Sequence, residues 1–109
     1  MTTVKFFRKN GSFYKIECDG HTDFAVSGED IVCAALSSIV QTAILGLLQV
    51  AGICAEFEKR DEDGYLKMIL PQNITDRQKH DADVILNTLF LGVSDLYSGY
   101  SDFIELEVI

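Results

Sequence analysis

The chain has 109 residues, 48% of them hydrophobic, which suits one domain with its own core and excludes a disordered tail. Nine Lys and Arg against 17 Asp and Glu give a formal net charge of −8. An acidic chain without a basic cluster repels phosphate backbones, which argues against direct nucleic-acid binding.

Met1-Thr2-Thr3-Val4-Lys5 has no basic segment ahead of a long apolar run, so it does not read as a signal peptide. With it goes an odd count of three cysteines, which points to reduced thiols in the cytoplasm. Val4 to Arg8 and Phe13 to Cys18 read as strands. Asn10-Gly11 between them is a hairpin signal, because both residues accept positive φ. Asp19-Gly20-His21 closes the second strand, and Thr22 to Gly28 reads as a loop.

A long helix is expected from about Glu29 to Ala51, with Ser27 as its cap and Gly52 as its stop. Ile31, Ala35, Ile39, Leu45 and Leu48 make it apolar in several directions. Ser37, Ser38, Gln41, Thr42 and Gln49 interrupt the run, so it reads as a buried helix and not a membrane span. A helix this apolar is buried centrally or covered by a second subunit.

Cys54 to Lys59 and Tyr65 to Leu70 read as a second hairpin around Asp61-Glu62-Asp63-Gly64. Ala55 and Phe57 mark an apolar face in its first strand, which Lys59 blurs. Pro71 ends the second. A helix from about Thr75 to Ser98 carries Ala82, Ile85, Leu86, Leu89, Val93 and Leu96 at three- and four-residue steps, and Gly99 stops it. Phe103 to Val108 is a last strand. The order is ββαββαβ, an α+β fold with two long helices packed on one mixed sheet in a single domain, residues 1–109.

The chemistry-bearing candidates are His21, at the end of a strand after Gly20, and Cys33, near a helix start. A helix N-terminus and a nearby imidazole both favour a thiolate. The residues alone leave this open. A cysteine among alanines on an apolar helix is ordinarily a small core residue, and a histidine at a strand end is ordinarily just exposed. Cys18 and Cys54, within or beside strands, read as core. Cys18-x-x-His21 with Cys33 has metal-ligand spacing, but no second pair completes a tetrahedral site, and His80 stands alone. No metal is expected.

The stretch Gly20-His21, a loop, then Gly28-Glu29-Asp30-Ile31-Val32-Cys33-Ala34-Ala35-Leu36-Ser37 resembles the signature of the ribosomal-processing cysteine protease family, Prp. The resemblance extends over the whole chain. It implies an α+β homodimer in which His21 and Cys33 form a catalytic dyad, with Asp30 and Ser37 at the other polar positions of the motif. It implies no cofactor. The implied activity is removal of a short N-terminal extension from large-subunit ribosomal protein number twenty-seven, after a Phe-Phe-Ala type sequence, as a step toward ribosome assembly. The implied partner is therefore a ribosomal protein precursor.

At helical spacing Asp30, Cys33, Ser37 and Gln41 share one face. Asp30 caps the helix or orients His21. Ser37 bonds the backbone one turn back or donates to a substrate carbonyl. First-turn N–H groups offer an oxyanion hole. Gly20 and Gly28 bracket a loop expected to act as a gate, with Phe24 packing on substrate aromatics. The competing reading is a binding module without chemistry, whose acidic surface holds a basic ribosomal protein.

Overall fold

A computed structural model of the chain describes residues 1–20, 27–60, 62 and 64–109, and for residues 27–30 the backbone alone. The elements are β1 (Thr2–Lys9), β2 (Ser12–Asp19), α1 (Ser27–Leu45), β3 (Glu56–Arg60), β4 (Tyr65–Ile69), α2 (Asp76–Gly99) and β5 (Ile104–Val108). The strands form one five-stranded sheet in the order β3-β4-β2-β1-β5. β1 runs parallel to β5, and the other neighbours are antiparallel. This is the expected ββαββαβ order, with both helices packed on the mixed sheet.

Asn10 (φ 54) and Gly11 (φ 82) turn the first hairpin as a pair of left-handed residues, which matches the twist of the flanking strands. Period-two alternation then sorts the sheet into rows. On the helix side run Leu106–Val4–Cys18–Leu66 and Val108–Phe6–Ile16–Met68–Phe57. Val4, Phe6, Ile16 and Met68 are fully buried there. The Phe6 ring meets Phe13 at 5.2 Å and Phe90 at 5.1 Å, so β1, β2 and α2 share one aromatic cluster.

α1 contributes Val32, Leu36, Val40 and Ile44, all buried at four-residue steps, while Ile31 and Leu45 stay exposed. By length and composition, Ile31–Val50 is apolar enough to cross a membrane. In this fold its inner stripe builds the core. α1 runs on through a π-helical turn, Gly46–Val50, closed by a bond from the Ala51 N–H to the Gly46 carbonyl at 2.9 Å.

α2 opens with a full capping box. The Gln78 N–H donates to Thr75 Oγ1 at 3.1 Å, and the Thr75 N–H donates to Gln78 Oε1 at 3.0 Å. Gln78 Nε2 also donates to the Gly52 carbonyl at 3.1 Å, tying the start of α2 to the end of the first helix.

Three expectations need correction. α1 begins at Ser27, so Ser27 and Gly28 are helical and Gly28 is not the end of a loop. Glu29 and Asp30 are residue types that favour a first turn, which lets the helix start earlier. Cys54 is exposed, not core, because β3 starts two residues later and is an edge strand. Phe57 shares a row with Met68 but lies at that edge, and 43% of it remains exposed.

The face of the sheet away from the helices carries a row of alternating charge through all five strands: Glu107, Lys5, Glu17, Lys67 and Glu58. Each lysine stands between two carboxylates. Lys67 Nζ approaches Glu58 Oε1 at 3.9 Å. The change Lys67→Glu puts three carboxylates side by side on antiparallel neighbours and should cost about 1 kcal/mol. Urea unfolding should show the loss at low ionic strength and a smaller loss in 1 M salt, on the order of half.

Candidate active site

Cys33 is the seventh residue of α1 and is half-buried. Its own N–H therefore lies within the helical ladder, and the unpaired first-turn N–H groups sit before it. A helical side chain leans over the turn preceding it, so the sulfur is directed back toward the helix start. The residue opens on a cavity of about 280 Å³ between α1 and the β2–β4–β3 side of the sheet. Cys18, Leu36, Val40 and Leu66 line it with apolar surface, and Gly20, Ser37, Lys59, Arg60 and Tyr65 add its polar and backbone lining.

Thr2 also lines this cavity. It is 6% exposed and is the one buried polar residue among those described. Its Oγ1 donates to the Gly20 carbonyl at 2.9 Å and lies 3.6 Å from Cys33 Sγ. Gly20 has φ +97, and a Cβ there would lie 2.7 Å from the Met1 carbonyl oxygen. A side chain is excluded on both counts, so the end of β2 can lie tight against the start of β1.

One turn beyond Cys33, Ser37 Oγ accepts from Gln41 Nε2 at 2.6 Å. Gln41 Oε1 in turn accepts from Lys59 Nζ at 3.3 Å. Ser37 thus has a side-chain donor, and its own hydrogen is not used in that bond. Lys59, which blurred the apolar face of its strand, is paired with Leu66 in the helix-side row and reaches across to α1. Arg60 stacks over the Tyr65 ring at 4.2 Å and contacts Glu58. Tyr65 donates to Glu17 Oε2 at 3.2 Å. Partial desolvation, and then that carboxylate, push the Tyr65 phenol up.

The expected site residues divide accordingly. Cys33, Ser37 and Gly20 come together at the cavity. His21 and Phe24 lie outside the described residues, as do residues 22–26 of the gate expected from Thr22 to Gly28. Asp30 is placed by its backbone in the first turn of α1, and Gly28 with it. Thr2, Lys59 and Tyr65 are cavity residues that the sequence reading did not single out. Lys59 was visible as a break in alternation. Thr2 was visible only as an extension of β1, since it has the same parity as Val4 and Phe6.

The structure is a two-helix α+β domain with a helix-borne thiol on its cavity. The family model described as cysteine protease Prp matches residues 1–105, and the chain belongs to that family. The ribosomal processing cysteine protease Prp of Bacillus subtilis (strain 168) is 23% identical over 86 residues, 79% of this chain and 77% of that protein. Among solved structures, a Streptococcus mutans protein is similar with a TM-score of 0.89 and 25% identity, covering 100% of this chain and 94% of its own. The essential ribosomal processing protease Prp of S. aureus, in complex with a substrate peptide, is similar with a TM-score of 0.87 and 22% identity over 100% of both chains.

Cys18 contrasts with Cys33. Burial, and then the Glu17 charge, push its thiol up to about 12 from an ordinary 9.0. Above pH 9 the unfolded chain loses this proton while the folded chain keeps it, so stability falls as pH rises. The contribution is complete below the unfolded value of 9.0 and gone once pH passes about 12. Urea unfolding above pH 9 should show a decline of about 1.4 kcal/mol per pH unit from this group. In Cys18→Ala that part of the slope should be absent.

Proposed function

We propose that this chain is a cysteine endopeptidase in which Cys33 is the nucleophile and His21 the general base. We further propose that it removes the short N-terminal extension of large-subunit ribosomal protein number twenty-seven. The observation that carries the dyad is the Thr2 hydroxyl, which meets both Cys33 Sγ and the carbonyl of Gly20. That carbonyl belongs to the residue just before His21 in the sequence, and Thr2 links it to Cys33. Family membership supports the protease chemistry. The S. aureus relative solved with a substrate peptide, and again with a covalently linked product peptide, supports a peptide substrate and a covalent route.

The imidazole takes the thiol proton, and the thiolate attacks the scissile carbonyl. The imidazolium then protonates the leaving amine as the peptide bond breaks. Water hydrolyses the thioester and restores the thiol. First-turn N–H groups of α1 supply an oxyanion site within reach of the leaning sulfur. Asp30, the fourth residue of α1, favours that turn through its charge or orients His21. Apolar lining from Leu36, Val40 and Leu66 suits small and aromatic side chains at the cut, and the net charge of −8 favours approach of a basic substrate. The protein works in the cytoplasm with its thiols reduced, as a homodimer that covers exposed Ile31 and Leu45 of α1.

A peptide carrying Phe-Phe-Ala tests the reading. Cys33→Ala and His21→Ala should each lower turnover by at least roughly a thousandfold without loss of fold by circular dichroism, while Cys54→Ser keeps it. Equal cleavage by Cys33→Ala and wild type would return the chain to the binding-module reading.

A further inference from the structure

We propose that Thr2 is a positioning residue for Cys33, its hydroxyl orienting the thiol and then donating to the thiolate. The inference rests on the reading of Cys33 as the nucleophile.

Nothing about the strand asks for a hydroxyl at this position. Thr2 is inward-facing by the same alternation as Val4 and Phe6, and it is buried. Valine has the same shape, suits a strand as well, and hides no polar atom. A buried hydroxyl is costly unless it is bonded. Thr2 meets that cost with two partners, and both are parts of the cavity: the Gly20 carbonyl at 2.9 Å and Cys33 Sγ at 3.6 Å. The β5 side holds the backbone that presents it. The Thr2 N–H donates to the Phe103 carbonyl at 3.0 Å, and Thr2 pairs with Ile104 of β5. The branched Cβ restricts the side chain further.

The hydroxyl has one hydrogen and spare lone pairs. While Cys33 is a thiol, that hydrogen goes to Gly20, and the S–H points its own hydrogen at Thr2 Oγ1. When the thiol proton leaves for the base, the sulfur becomes an anion that needs a donor. The Thr2 O–H then turns from Gly20 to the thiolate. No covalent bond to Thr2 changes; one hydrogen moves between two acceptors. The thiol is thereby aimed before reaction and its anion is stabilised during it. Serine can make both bonds, and valine can make neither.

The test compares full-length wild type, Thr2→Val and Thr2→Ser. The first readout is iodoacetamide alkylation resolved by peptide mass, which needs no substrate. Thr2→Val should slow labelling of Cys33 by roughly ten- to a hundredfold, the range of a bond to a charged group. Thr2→Ser should stay within about threefold of wild type, with Cys54 labelling unchanged in both. Cys18 should remain unlabelled, which shows that the core is intact. In cleavage of the Phe-Phe-Ala peptide, Thr2→Val should lose kcat by a similar factor while KM holds within about twofold. Cys33 labelling in Thr2→Val within about twofold of wild type would overturn the proposal. So would equal slowing in the serine and valine variants, or Cys18 becoming labelled alongside. Thr2-dependent labelling in a wild type that cuts no peptide supports the role of Thr2 and sinks the protease reading alone.

Discussion

The register of β1 between β2 and β5 is the constraint on which the remaining structure depends. It places Val4 and Phe6 beneath the helices, opposite Cys18 and Ile16 on one side and Leu106 and Val108 on the other. A slip by one residue would exchange them for Lys5 and Phe7 and turn the apolar face out to water. The same parity brings Thr2 inward at the end of the strand, toward Cys33. Core and cavity are therefore set by one alternation, and neither can shift without the other.

The two faces of the sheet show how economically that alternation is used. One face is close-packed under α1 and α2, with the rings of Phe6, Phe13 and Phe90 at its centre. The other is held by charge, aided by Lys15 over the Phe7 ring at 4.6 Å. The cavity forms where the helix-side rows run out toward the β3 edge. There the row ends in Lys59, whose ammonium turns to Gln41 on α1. A polar group completing an apolar row gives a cleft with greasy walls and hydrogen-bonding ends.

Much of this was legible in the residues. Asn10-Gly11 announced the first hairpin, and the Ala82–Leu86–Leu89–Val93 stripe announced α2, because local turn chemistry and helical period do not depend on distant partners. Positions governed by partners were harder. Cys54 looked like a strand residue, but it is exposed just before a strand that lies at the sheet edge. The start of α1 fell earlier than its apolar pattern, because its first turn is built from Ser27, Gly28, Glu29 and Asp30, which carry no hydrophobic signal. Cys33 and Ser37 were found through a signature. Thr2 was not, since its meaning comes from Gly20 and Cys33, 18 and 31 residues away.

The parallel pairing of β1 with β5 has a consequence for the order of events during synthesis. β1 is completed by a strand made much later, for Thr2 and Phe6 pair with Ile104 and Val108 of β5. A nascent chain gains the local β1–β2 hairpin early, since nearby contacts close fastest. It lacks the β5 side of β1 until Ile104–Val108 has been made. The Phe103 carbonyl that holds the Thr2 N–H immediately precedes that strand. A chain translated only as far as α2 thus carries the thiol without the support that β5 gives to Thr2.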